Sequence, residues 1–257
     1  MIIVSGCSFC TPNLKLVDGS IIDWPVWSEY LKYKESVINV SKSGRGNDAI
    51  IKTAIDTIVS NNNITRVIIS LSQWERFSLR GYDINPGIIS MDGYGNEDKR
   101  TTTSYFKRER ITANKQLYDV NTYTKDTNKT RDILNSEKSY RIMTEDLFRD
   151  IFLLHKLCRE RKIKLHVFQM LKPFNSVNLK LKHVLLSIYD SYYFNYLDDC
   201  KDIDLIGWPF LNNLGGEFLH KFISEEDWVG DGDAHPNGIG QIKLGEIINE
   251  KIKDYEI

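Results

Sequence analysis

A serine near one end of this 257-residue chain, and a histidine with two aspartates near the other, are residue types that can combine into nucleophilic chemistry. Ser8 stands in Gly6-Cys7-Ser8-Phe9, and His235 stands in Asp231-Gly232-Asp233-Ala234-His235-Pro236-Asn237. A serine hydroxyl is a weak nucleophile until a base takes its proton, and a neutral imidazole is suited to that task near pH 7. A carboxylate must then hold the other ring nitrogen and stabilise the imidazolium that forms. Ser8 and His235 fit the first two roles. Asp233, two residues before His235, is the expected acid, with Asp231 as the alternative.

The other reactive side chains carry less. Cys7-Ser8-Phe9-Cys10 has the C-x-x-C spacing that can pair or bind metal, but no second such pair follows, and Cys158 and Cys200 stand alone. Reduced thiols are therefore expected, with Cys7 packing as a small apolar group. His155, His166, His183 and His220 have no metal-ligand spacing and read as ordinary residues. Gly44 and Gly46 lack the Lys-Ser/Thr ending of a phosphate loop. Neither a metal nor a cofactor is expected.

The elements that must position these residues alternate along the chain. Ile2-Ile3-Val4 reads as a buried strand and 37–40 as a second, closed by the Gly44-Arg45-Gly46-Asn47 turn. From Asp48, Ile50, Ile51, Ala54, Ile55 and Ile58 recur at three- and four-residue steps and mark one helical face. Strands are expected at 66–71, 163–170 and 204–207, a helix from near Thr144, and a last helix from about Gly238. Alternation of this kind predicts a three-layer α/β/α fold on a mostly parallel five-stranded sheet, flavodoxin-like in type. Such sheets place their sites beyond the carboxyl ends of the strands. Gly6-Cys7-Ser8-Phe9, the Gly44 turn, Ser72-Gln73-Trp74-Glu75 and the His235 segment all follow strands or precede the last helix, so they can converge on one rim.

These motifs, in this order, resemble the SGNH (GDSL-like) hydrolase family. Gly6-Cys7-Ser8-Phe9 resembles the first block, Gly-Asp-Ser, with Cys7 in the Asp position. Gly44 lies where the second block places an oxyanion glycine, and Asp233-Ala234-His235-Pro236 resembles the fifth. With Trp24-Pro25, Gly207-Trp208-Pro209 and Asn237, the pattern is similar to a divergent group found in phage and bacterial proteins. The resemblance implies the triad Ser8, His235 and Asp233, although many members place the acid three residues before the histidine, where this chain has Gly232. It also implies backbone oxyanion donors at Ser8 and Gly44. The third block departs, because Trp74 stands where the family has a side-chain oxyanion donor, and losing one such donor costs on the order of 100- to 1000-fold in rate. Asn47 is the expected replacement, ahead of Gln73 or Trp74, with a polar side-chain atom within about 4–5 Å of the Ser8 hydroxyl. The alternative is that Asn47 only caps the helix after it.

The implied activity is that of a serine esterase or deacetylase releasing an acyl group, acetyl foremost, from an oxygen ester on a carbohydrate or small molecule. The other reading is a catalytically impaired binding or structural module on the same fold, which Trp74 favours. Composition limits the partners. Thirty-four Lys and Arg against 35 Asp and Glu leave a formal charge of -1, which gives no support to nucleic acid. No stretch approaches 18 uninterrupted apolar residues and no basic leader opens the chain, so no membrane partner and a cytoplasmic location are expected, or the virion if phage-encoded. One domain, 1–257, is expected. Within it, 77–140 loses periodicity and reads as an insertion that borders the site as a lid or substrate loop.

Overall fold

The computed structural model describes residues 1–12, 14, 21, 23–74, 144–171, 218–230 and 233–252 in full, and the backbone of 77–79, 82–84, 137–143 and 204–206. In chain order its strands are β1 (Ile2–Ser5), β2 (Val37–Asn39), β3 (Arg66–Leu71), β4 (Phe77–Leu79), β5 (Tyr82–Ile84), β6 (Lys164–Gln169), β7 (Asp204–Ile206), β8 (Trp228–Gly230) and β9 (Asp233–Pro236). The helices are α1 (Asn47–Ser60), α2 (Glu137–Glu160) and α3 (Gly238–Lys251).

Five strands pair in parallel in the order β2-β1-β3-β6-β7. The strand order reverses between β1 and β3, and open sheets of this order hold their ligands beyond the carboxyl ends of the strands at such a topological switch point. Burial explains the composition of the central strands: all of β1 and all of β3 are buried, and a strand covered on both faces reads as a continuous apolar run. β2, at the sheet edge, is only half-buried.

Helices cover the sheet with faces set by the 3.6-residue period. Ile50, Ile51, Ala54 and Ile58 of α1 are buried, while Lys52 and Asp56 on the outer face form an i,i+4 ion pair. Leu147, Phe148, Ile151, Leu154 and Cys158 of α2 join the same core cluster, and α1 and α2 pack on one another. α3 packs on the 3₁₀ turn Trp27–Tyr30. The result is the α/β/α arrangement the sequence predicts. No helix among the described residues is long and apolar enough to cross a membrane.

The structure differs from the sequence reading at α2 and within 77–140, besides the hairpin at the site described below. α2 begins at Glu137 rather than near Thr144, because the intervening residues contain no Gly or Pro to stop a helix and open with two good helix formers, Glu137 and Lys138. Its first residues therefore fall inside the span read as an insertion. That span also begins with an antiparallel hairpin, β4 paired with β5. The rest of 77–140, Gly207-Trp208-Pro209 and Asp231 lie outside the described residues.

Candidate active site

The chain leaves β1 through Gly6 and enters a 3₁₀ turn at Ser8–Cys10. Glycine is required here by crowding: a Cβ on Gly6 would lie 2.5 Å from the Cys10 sulfur and 2.8 Å from the Ser70 Cβ of β3. Gly6→Ala is expected to lower stability by about 1–3 kcal/mol, since neither buried neighbour can retreat without strain, as a lowered midpoint in urea unfolding would report. The turn is tied at several points. The Cys10 N–H donates to the Cys7 carbonyl at 3.0 Å, the Thr11 hydroxyl donates to the same carbonyl at 3.0 Å, and the Asn39 amide at the end of β2 donates to the Cys10 carbonyl at 2.7 Å. From α3, Gln241 donates to the Phe9 carbonyl at 3.4 Å and accepts the Trp27 N–H at 2.8 Å. Ser8 is thus fixed between the carboxyl end of β1 and the start of the last helix, 7% exposed.

The second half of the site is a hairpin that the sequence reading missed. Residues 228–236 carry no alternating apolar pattern, with Gly230, Gly232, Asp231 and Asp233 among them, yet β9 pairs antiparallel with β8, Trp228 opposite Pro236 and Gly230 opposite Asp233. Side chains two apart on a strand share a face, so a spacing of two places the Asp233 carboxylate beside the His235 ring. Asp233 Oδ1 lies 2.5 Å from His235 Nδ1 and 3.0 Å from the His235 N–H, and His235 Nε2 lies 2.8 Å from Ser8 Oγ. A carboxylate has no hydrogen to donate, so Nδ1 carries the proton, and in the neutral ring Nε2 accepts from the Ser8 hydroxyl. Asp233 and His235 are partly exposed, 24% and 28% in their side chains, which leaves the chain open to a substrate.

β9 is held at its carboxyl end. Asn237 caps α3: its side-chain oxygen accepts the Gly240 N–H at 3.0 Å, while its amide donates to the Glu226 and Trp228 carbonyls at 2.9 and 3.0 Å. Its backbone N–H donates to the Asp227 carbonyl at 2.7 Å. The Asp227 carboxylate is buried and receives Lys243 Nζ at 2.7 and 2.8 Å and the Ser224 N–H at 2.9 Å. Lys243, followed by Ser224, holds this carboxyl below its ordinary pKa. A native pKa below the unfolded value gives stability that is present above about pH 4 and lost as pH falls through the native value. Asp227→Asn is accordingly expected to unfold at a lower temperature than the wild type at pH 7, the gap closing as pH is lowered from about 4 toward 2 in thermal melts.

The expected oxyanion residues fall on neighbouring loops. Gly44 takes a left-handed φ of 81°, which glycine adopts without strain, while Gly46 is extended at φ -78° and stands at the N-cap of α1. Asn47 is therefore the first helical residue and not the cap. Its buried amide bridges α1 to the loop after β3: Oδ1 accepts the Ser72 N–H at 2.8 Å, and Nδ2 donates to the Ser72 and Gln73 carbonyls at 3.4 and 3.2 Å. Gln73 follows β3 on this loop, half-buried. Trp74 is 3% exposed, edge-on to Phe148, and its indole N–H donates to Gln169 of β6 at 2.9 Å. Gln169 in turn donates to the Ser72 and Leu171 carbonyls at 2.8 and 2.6 Å. Trp74 thus fills the core below the rim and ties β3 to β6.

Cys7, Cys10 and Cys158 are fully buried and form no disulfide among the described residues. Burial, with Cys7 beside it, pushes the Cys10 thiol well above its ordinary value, and burial pushes Cys158 up to about 12, so both stay as thiols at neutral pH. Among the described residues, no group of three or more His, Cys, Asp or Glu side chains is placed to hold a metal ion. His220, read from sequence as ordinary, stands against the site. Its ring is edge-on to Phe9 at 5.1 Å and stacked on Trp228 at 5.7 Å, and Phe9 lies 4.8 Å from the His235 ring. No spacing or motif connects His220 to His235, so only the folded chain brings them together.

No protein-family model matches the chain, and no curated protein matches it by sequence. Among solved structures it is similar to the psychrotrophic esterase EstA from Pseudoalteromonas sp., in a structure inhibited by monoethylphosphonate. That match has 12% identity over 99% of this chain and 97% of that one, with a TM-score of 0.44. It is also similar to the protein YxiM of Bacillus subtilis, with 14% identity over 98% of this chain and 56% of that one, and a TM-score of 0.43.

Proposed function

We propose that the chain is a serine hydrolase of the SGNH type that cleaves an O-acyl ester, acetyl foremost, on a carbohydrate or small molecule. The observation that carries this reading is the continuous hydrogen-bonded chain from Asp233 through His235 to Ser8. In the reaction, Ser8 Oγ attacks the ester carbonyl carbon while His235 Nε2 takes the hydroxyl proton. Asp233 stabilises the imidazolium that results, and the backbone N–H groups of Ser8 and Gly44 meet the developing oxyanion. His235 returns the proton to the departing alkoxide, leaving an acyl-serine. Water, deprotonated by His235, then attacks the acyl-serine and releases the acid and free Ser8.

Asn47 and Gln73 are the proposed contributors beyond these backbone groups. Asn47 cannot turn its amide wholly to an oxyanion without releasing the Ser72 or Gln73 carbonyl, so its first effect is to hold Gln73 on the rim. A catalytically impaired binding module is the second reading, favoured by the commitment of the Trp74 indole N–H to Gln169. Purified protein incubated with p-nitrophenyl acetate at neutral pH separates the two. The hydrolase reading expects multiple turnovers of nitrophenolate release, and release no faster than that of His235→Ala supports the binding module.

A further inference from the structure

β9 carries the acid and base on a support that its own pairing does not secure. A two-stranded hairpin is marginal alone, the register of this one is irregular between Trp228 and Gly230, and Pro236 has no N–H for the ladder. The residue between acid and base is Ala234, and its carbonyl receives His220 Nε2 at 3.0 Å. A carbonyl only accepts, so Nε2 of His220 carries the hydrogen. The backbone N–H of His220 donates to the Met170 carbonyl, immediately beyond β6, at 2.9 Å. His220 therefore joins the central sheet to the peptide that separates Asp233 from His235. Its ring also completes a row of four, Trp228, His220, Phe9 and His235, that runs from the outer strand of the hairpin to the base.

We propose that His220 is a positioning residue of the hydrolase site: its Nε2–H fixes the Ala234 carbonyl and its ring spaces Trp228 from Phe9, setting His235 against Ser8. This inference rests on the hydrolase reading for its consequence in rate, but not for its geometry. Burial foremost holds the ring below its ordinary pKa, and the nearby His235 pushes in the same direction against the Ala234 hydrogen bond. His220 so remains a neutral donor when His235 takes the Ser8 proton, and it adds no second positive charge beside the imidazolium. A displacement of the base by about 1 Å is enough to cost up to roughly 100-fold in rate, so one hydrogen bond on β9 has a catalytic effect out of proportion to its strength.

The test begins on the wild-type protein, by long-range nitrogen-proton NMR at pH 7. His220 is expected as the neutral Nε2–H tautomer, and the Nδ1–H tautomer or a doubly protonated ring would overturn the proposal. Two variants then separate the hydrogen bond from packing. His220→Phe keeps a ring between Trp228 and Phe9 without the donor, and His220→Gln keeps a donor at the same reach. His220→Phe is expected to slow phosphonylation of Ser8 by a fluorophosphonate by up to roughly 100-fold, with the low-field His235 Nδ1 proton shifted, while His220→Gln keeps most of the wild-type rate. Equal rates in the two variants, whatever their melting temperatures, would overturn the proposal. If the wild type itself is not labelled, the hydrolase reading fails, and the tautomer and the His235 proton signal still decide the positioning role.

Discussion

Ser8→Ala is expected to abolish hydrolysis of short-chain aryl esters while leaving the fold and melting temperature near those of the wild type. The bonds that hold the turn run through the backbone of Cys7, Ser8, Phe9 and Cys10, whereas the Ser8 hydroxyl is engaged with His235 Nε2. Removing one oxygen from a 7% exposed position at the rim leaves the β1 core untouched. The loss in kcat is expected on the order of 10⁴- to 10⁶-fold, because the two-step route through an acyl-serine disappears. Steady-state assays beside a circular-dichroism melt check both halves, and equal activity in mutant and wild type would remove Ser8 from the mechanism.

Asp233→Asn is expected to lower kcat roughly 10⁴-fold, far more than Asp231→Asn. Asp233 accepts both the backbone N–H and the Nδ1–H of His235, so its charge sets the tautomer and stabilises the imidazolium. An amide at 233 can instead offer an N–H to Nδ1, which puts the ring proton on Nε2 and takes away the lone pair that Ser8 needs. Parallel kcat determinations on the two variants decide the matter. The reverse ranking would move the acid to Asp231, and two silent variants would leave a Ser-His dyad.

Why some of this is legible in the sequence and some is not follows from how far apart the interacting residues lie. β1 and β3 read as strands because burial on both faces favours the apolar runs Ile2-Ile3-Val4 and Val67-Ile68-Ile69, and α1 reads as a helix because its buried residues recur at the helical period. The order of the strands places Ser8, Gly44 and Gln73 at the end of the sheet where loops follow β1, β2 and β3, which is also where the sequence puts them. The β8–β9 hairpin was not legible, since one strand holds Asp, Ala, His and Pro and gains its partner only through an irregular pairing. Asn47 reads equally well as a helix cap or a site donor, and its actual bonds go to a loop 25 residues on. Trp74 and His220 show the same limit: the partners of each, Gln169 and Ala234, come from other elements, and no local spacing encodes them.

The measurement closest to the central claim is covalent labelling of the wild-type protein by a fluorophosphonate, with the modified residue located by mass spectrometry. A serine hydroxyl reacts with such a probe at an appreciable rate only when a base takes its proton and donors meet the phosphoryl oxygen, so labelling reads out activation without any assumption about the natural ester. The account predicts stoichiometric modification at Ser8, lost in His235→Ala. Absence of labelling under conditions that modify a known serine hydrolase, or labelling at another serine, would contradict it.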